Sequence, residues 1–281
     1  MFTIGLLIVV GMWEGYKALA DASGHVHLLG FTMPARADDS SMPHVSAMLS
    51  RFTRPEHRGD STYIWQVVLG SAWYSFRLAL AGLLAGAVVG LGLALLMQRF
   101  VTAQRAMTPY IIASQTVPLI AIAPLVAGWQ NQLSIGPLTW EPWMSVAFIA
   151  AYLAFFPVSL GALRGLQSPN EASLELMQSY AAGWWPTVWK VRLPASVPFV
   201  VPALKLASAA AIVGAIVAEI SIGLRGGIGR LIIEYSTEST SDPAKVFTAL
   251  IGAAVLGLVM AGAVAGLDVF AMKNRQREST V

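Results

Sequence analysis

Residues 77–99 read RLALAGLLAGAVVGLGLALLMQR, so Arg77 and Arg99 enclose 21 uncharged residues. An α-helix rises about 1.5 Å per residue and needs ~20 apolar residues to cross the ~30 Å hydrocarbon core of a bilayer. This stretch is long enough for one crossing. The same interval recurs along the chain. Arg105 to Glu141 encloses 35 uncharged residues, while Glu141 to Arg164 and Lys245 to Asp268 each enclose 22. Only 12% of the 281 residues are charged and 56% are hydrophobic, with a net charge of +3. An average soluble domain is about 25% charged. These figures exclude a disordered chain, a nucleic-acid-binding surface and most soluble enzymes. With no cysteine in the chain, a thiolate nucleophile, a disulfide framework and a Cys-ligated zinc are excluded as well.

The reading is an all-α, polytopic membrane protein of about six transmembrane helices, near 2–20, 73–97, 107–128, 143–163, 196–221 and 246–268. The first follows Met1 directly, with no basic leader and no clear cleavage site, and is expected to be retained. The fifth carries Lys205 and Glu219 near opposite ends, separated by 13 apolar or small residues. Hydrophilic segments fall at 21–62, 164–195 and 222–245. An even number of crossings puts both termini on one side. Setting aside the long first loop, termini inside leaves eight basic residues on inner segments against three on outer ones, the orientation that positive charge favours.

Gly82, Gly86 and Gly90 form a GxxxGxxxG row, which suits close helix packing within the bundle. The third helix carries Pro109, Pro118 and Pro124, with Ser114-Gln115-Thr116 just before the second. A proline frees a carbonyl and bends the axis, and lipid tolerates that only beside protein or a water-filled cavity. Ser114, Gln115 and Pro118 are therefore candidate pathway residues. Arg77 and Glu219 both fall about one turn below the outer surface in this topology. Intramembrane charges are usually paired, so they too are pathway candidates, expected to face each other across the bundle or to line the outer mouth.

No catalytic residue and no metal site is expected. There is no GxxxxGK[ST] phosphate loop. The run Gly223-Leu-Arg-Gly-Gly-Ile-Gly229 reads as a turn at a helix end. His25, His27, His44 and His57 all lie in the first loop without HExxH spacing. A secondary transporter or channel would show intramembrane acids or broken inverted repeats near the midplane. A membrane enzyme would show acid–base groups on facing helices. Neither is evident.

Segment 164–195 differs from the rest. Glu171 to Ala181 is amphipathic, with Leu174, Met177 and Ala181 on one face. Gly183, Trp184, Trp185, Pro186 and Trp189 follow, then Leu193-Pro194. Such a helix between two spans suits an interface or a partner's groove.

Glu175-Leu-Met177-x3-Ala181-x9-Val191-x-Leu193-Pro194 resembles the signature of binding-protein-dependent ABC importer permeases, E-A-A-x3-G-x9-I-x-L-P. Every position matches in spacing; Leu176, Met177 and Ala181 replace the two alanines and the glycine. Ser114-Gln-Thr-Val-Pro118, Ala121-Ile-Ala-Pro124, Trp129 and Val217-Ala-Glu219 resemble the nitrate/sulfonate/taurine branch of that family, including its thiamine-precursor and riboflavin members. Trp129-Gln-Asn131 stands where the branch has Trp-Phe-Gly.

The resemblance implies a first helix and external loop at 1–62, then a permease core of five helices at 63–281. It places a coupling helix on Glu175, Met177, Ala181, Gly183, Leu193 and Pro194. It implies cytoplasmic ABC ATPase subunits as partners, an external solute-binding protein, a second permease copy as homodimer or a related permease in its place, and lipid, with no nucleic acid. This chain would hold no cofactor, ATP and Mg being on the partner ATPase. The location would be the bacterial cytoplasmic membrane, with both termini cytoplasmic.

Overall fold

The computed structural model describes residues 2–20, 25, 27–28, 31–32, 37–57, 59–130, 132–135 and 138–276. Asn131 and the side chain of His27 lie outside what it describes. In chain order the helices are α1 (Phe2–Ala18), α2 (Val45–Arg51), α3 (Ile64–Arg99), α4 (Val101–Ser114), α5 (Leu119–Ala127), α6 (Pro142–Leu166), α7 (Glu171–Ser179), α8 (Trp184–Thr187), α9 (Leu193–Ile222), α10 (Ile228–Thr237) and α11 (Pro243–Gln276). Two antiparallel pairs of two-residue strands occupy loops, β1 (His27–Leu28) with β2 (Phe31–Thr32) and β3 (Ser134–Ile135) with β4 (Leu138–Thr139).

Four continuous helical stretches are long and apolar enough to cross a membrane: Ile64–Arg99, Pro142–Leu166, Trp184–Ile222 and Pro243–Gly266. The pair α4–α5, bent by 94°, passes the same test together and adds a fifth where it is one broken crossing rather than a re-entrant loop. The expected count of six is thus approximate, because α1 has 17 residues, somewhat short of a full crossing. Its Leu7, Val9 and Met12 are exposed, as lipid-facing residues of such a helix would be.

Several expected boundaries are corrected. The second helix starts at Ile64 rather than 73, where the Gln66 side chain reaches back to accept from Tyr63 N at 3.1 Å. The third is not one kinked helix over 107–128. It breaks at 115–118, where Pro118 starts α5 and disfavours helical backbone at the residue before it. Hydroxyls satisfy the freed carbonyls: Ser114 Oγ donates to Ile111 O at 2.7 Å and Thr116 Oγ1 to Ala113 O at 2.8 Å. Pro109 and Pro124 sit inside α4 and α5 without breaking them. The hydrophilic segments are also partly helical, holding α2 and α10.

The core is a seam of small residues. A Cβ on Gly86 would lie 2.7 Å from Ala151 O and 2.9 Å from Ala154 Cβ; one on Gly90 would lie 2.8 Å from Phe155 O. The glycine row therefore packs α3 onto the backbone of α6, as intramolecular packing. Gly92, on another side, meets nothing within 4 Å. Gly165 and Gly214 repeat the device between α6 and α9, against Ser196 and Ala150. α1 lies against α11 through Trp13, whose ring meets Phe247 edge-on at 5.7 Å and whose Nε1 donates to Pro43 O at 3.1 Å.

Candidate coupling helix and buried carboxylate site

α7 begins where Asn170 caps it, its side chain accepting from Ser173 N at 2.9 Å. No residue of α7 is buried. Glu175 is exposed, and Leu174 and Met177 are half-buried. The helix stops at Ser179, before Ala181, so Ala181 does not continue the face of Leu174 and Met177. Instead it turns the chain with φ +50°, the one non-glycine among the described residues in the left-handed region. That conformation costs an ordinary L-residue about 1–2 kcal/mol, which explains why the resembling signature carries glycine there. Ala181→Gly is accordingly expected to stabilise the segment by up to ~1 kcal/mol, and Ala181→Val to destabilise it. Protease resistance of the 164–195 segment measures both.

Gly183 precedes α8 as its N-cap. A π-helical turn, Val188–Arg192, then leads into α9. Leu193 packs into the small apolar cluster around Met97, Ile111 and Leu166, and Pro194 is exposed in the first turn of α9. Trp184 Nε1 donates to Gln98 Oε1 at 3.0 Å, and the Arg99 guanidinium lies 5.5 Å from the Trp184 ring centroid. Arg192 Nη1 donates to Leu166 O at 2.7 Å.

At the other end of α9 the chain turns through Gly223, at φ +73°, and Gly226, at φ +96°, the helix-end turn expected for the Gly-rich run. Glu219 and Ser75 are fully buried. Ser75 Oγ donates to the Glu219 carboxylate, 2.7 and 2.8 Å from its two oxygens. Ser75 Oγ also accepts from Ile228 N at 2.8 Å, and Gly229 N donates to Glu219 Oε2 at 2.9 Å. Two amides at the start of α10, which have no partner inside the helix, are thus capped from α3 and α9.

This overturns the expected Arg77–Glu219 pairing: the exposed Arg77 lies over the Tyr74 ring at 5.6 Å. Helix phase decides it, since Ser75 faces the bundle while Arg77 turns away. Glu219→Ala would leave both the Gly229 amide and the Ser75 hydroxyl short of a partner, at an expected ~1–3 kcal/mol. Glu219→Gln, which keeps one acceptor, is expected to lose less. Thermal unfolding in detergent separates the two variants.

The remaining candidates fall at the α4–α5 break. Ser114 and Gln115 are half-buried and Pro118 is exposed. Gln115 Nε2 donates to Ser114 Oγ at 3.4 Å, and Tyr152 of α6 donates its hydroxyl to Ser114 O. These residues are not gathered with Glu219. Sequence reasoning missed Ser75, Gln98, Arg99 and Lys245. Lys245, assigned to an outer loop, is buried in α11, 2.5 Å from Glu238 Oε2 and over the Tyr235 ring at 4.5 Å. Burial, together with the Glu56 carboxylate that accepts a hydrogen bond from its hydroxyl at 2.9 Å, pushes the Tyr235 phenol above its ordinary range. Among the described residues one group has metal-ligand chemistry: Glu56, His57 and Asp60, with ligand atoms within 4.8 Å of one another. The closeness of His57 to two carboxylates was not expected from its loop, although the group lies at the surface.

The fold and the unburied helix between two spans define a multi-pass membrane permease. Residues 63–270 match the family of the binding-protein-dependent transport system inner membrane component, and the chain belongs to that family. Relatives include the formylaminopyrimidine transport permease protein ThiX of Halalkalibacterium halodurans, 28% identical over 70% of this chain and 74% of that one. A probable ABC transporter permease protein of Haemophilus influenzae is 32% identical over 57% of this chain and 62% of its own. The putative aliphatic sulfonates transport permease protein SsuC of Bacillus subtilis is 27% identical over 68% and 64%. In fold the chain resembles a crystal structure of an amino acid ABC transporter, with TM-score 0.55 and 18% identity over 75% of this chain and 94% of that one. The chain is a permease of the ABC importer class.

Proposed function

We propose that this chain forms the transmembrane pathway of an ATP-driven importer, with α7 as the helix that docks into a cytoplasmic ATPase subunit. The observation that carries this reading is α7 itself. It is capped, amphipathic and set between two spans, and none of its residues is buried in its own bundle. A helix so placed needs a partner's groove for its apolar side. In this reading the α7 end and both termini are cytoplasmic, and α10 lies on the outer side. Two copies of the chain enclose the pathway in the bacterial cytoplasmic membrane.

ATP and Mg belong to the ATPase. Its closure on ATP moves α7, and the bundle opens outward to an external solute-binding protein, an alternating-access cycle. The break at 115–118 supports a pathway wall here, since backbone irregularity at membrane depth requires protein or water beside it. The cargo is a small solute of the kind handled by the nitrate/sulfonate/taurine branch, with a pyrimidine thiamine precursor or riboflavin within that range. The relatives' names, which include formylaminopyrimidine, riboflavin, taurine and nitrate, support that range.

The test is purification of the tagged chain from its native membrane. Stoichiometric recovery of an ATP-binding subunit is expected, with ATP hydrolysis stimulated by one ligand-loaded binding protein in vesicles. Recovery without any ATPase, with solute uptake driven by an ion gradient, would replace the importer by a secondary transporter.

A further inference from the structure

α7 must pass its displacement to the membrane helices, and the covalent route is soft. Between α8 and α9 the chain runs through the π-helical turn Val188–Arg192, and α9 then carries Pro194, Pro198 and Pro202 in its first three turns. A π turn and prolines both interrupt the i→i−4 hydrogen-bond ladder that makes a helix stiff. A second route bypasses this stretch. Trp184, the first residue of α8, is held at the end of α3 by the Gln98 hydrogen bond of 3.0 Å and by Arg99 at 5.5 Å from its ring.

α3 is well suited to receive a push. It runs unbroken for 36 residues, roughly 54 Å at 1.5 Å per residue. Its glycine row fixes it to the backbone of α6. Eleven residues in from its other end, Ser75 holds Glu219 and the first amide of α10. One stiff element therefore touches the docking segment at one end and the α9–α10 turn about 36 Å along its length.

Resting on the importer reading, we propose that Trp184 is a positioning residue that engages Gln98 and Arg99 to pass movement of the docking segment to α3, and through Ser75 to α10. Trp184 touches neither solute nor nucleotide in this role; it sets where α3 stands for each position of α7. Indole suits the task, because one side chain offers a donor for Gln98 and a face for the Arg99 cation.

The absence of cysteine gives a direct test. Ser71→Cys, half-buried near the α10 end of α3, serves as the sole thiol of this chain in the complex with its ATPase, labelled from the α10 side by an impermeant maleimide. Trapping with Mg-ATP and vanadate is expected to change the labelling rate at least about fivefold, the lower range of allosteric coupling. Trp184→Ala and Gln98→Leu are expected to reduce that response below about twofold with the complex intact. Gln98→Glu, which keeps an acceptor for the indole N–H, is expected to restore it, a rescue that mere loosening of the fold would not give. An undiminished response in Trp184→Ala and Gln98→Leu would overturn the proposal, as would no response in the Ser71→Cys protein itself. Failure of any ATPase to bind the chain would instead defeat the importer reading.

Discussion

Glu175→Arg is expected to weaken binding of the chain to its ATPase subunit by roughly 30-fold or more, the scale of losing a central contact in an interface. The fold should not notice. Glu175 is exposed on a helix with no buried residue, and arginine is as good a helix former as glutamate. The chain's own unfolding free energy should therefore move by no more than a surface substitution allows, about 0.5 kcal/mol. Co-sedimentation of nanodisc-held chain with the ATPase measures the first quantity and thermal unfolding in detergent the second. Unchanged affinity would remove α7 from the interface. Loss of both together would make α7 part of the fold rather than a docking element.

The largest effect on stability is expected from Gly86→Leu. The first added carbon would already stand 2.7 Å from Ala151 O and 2.9 Å from Ala154 Cβ, closer than carbon packs. Relief requires the backbones of α3 and α6 to separate along the whole glycine row. Overpacking usually costs about 1–3 kcal/mol where side chains can shift; here backbone must shift, and a cost above that range is expected. Gly92→Leu is the control, two turns away on the same helix with nothing within 4 Å. Heating in detergent while following the monodisperse fraction should show Gly86→Leu collapsing far below Gly92→Leu. Equal behaviour would mean the seam does not hold the bundle.

Charge spacing made the membrane class legible, since a gap of 21 or more uncharged residues has few other uses. Helix ends were less so. The start of α3 is marked by Gln66 accepting from Tyr63 N, a local contact in the stretch between the first hydrophilic segment and the expected second helix. The break at Pro118 was visible as a proline but not as a 94° bend, because Pro109 and Pro124 look alike in sequence and do not break their helices. α7 and its cap were readable from amphipathicity and spacing. The partner of Glu219 was not. Intramembrane charges are expected to pair with charges, and no sequence rule ranks a serine 144 positions away above an arginine two residues beyond it. The Trp184 contact was hidden for the same reason, as Gln98 lies 86 positions upstream.

The small-residue seam also has a consequence for handling the protein outside its membrane. Lipid tails are as apolar as leucine, so a helix pair in a bilayer gains little from hiding apolar surface and is held by close van der Waals contact. The α3–α6–α9 unit, joined backbone to backbone at Gly86, Gly90, Gly165 and Gly214, draws on a force that replacing lipid by detergent barely alters. α1 has no such seam. Its Gly5, Gly11 and Gly15 meet nothing within 4 Å, and it leans on Trp13 and on Glu14, which accepts from Val45 N at 2.8 Å. Solubilisation should therefore strip the molecule in order, α1 leaving first and the glycine-joined trio last.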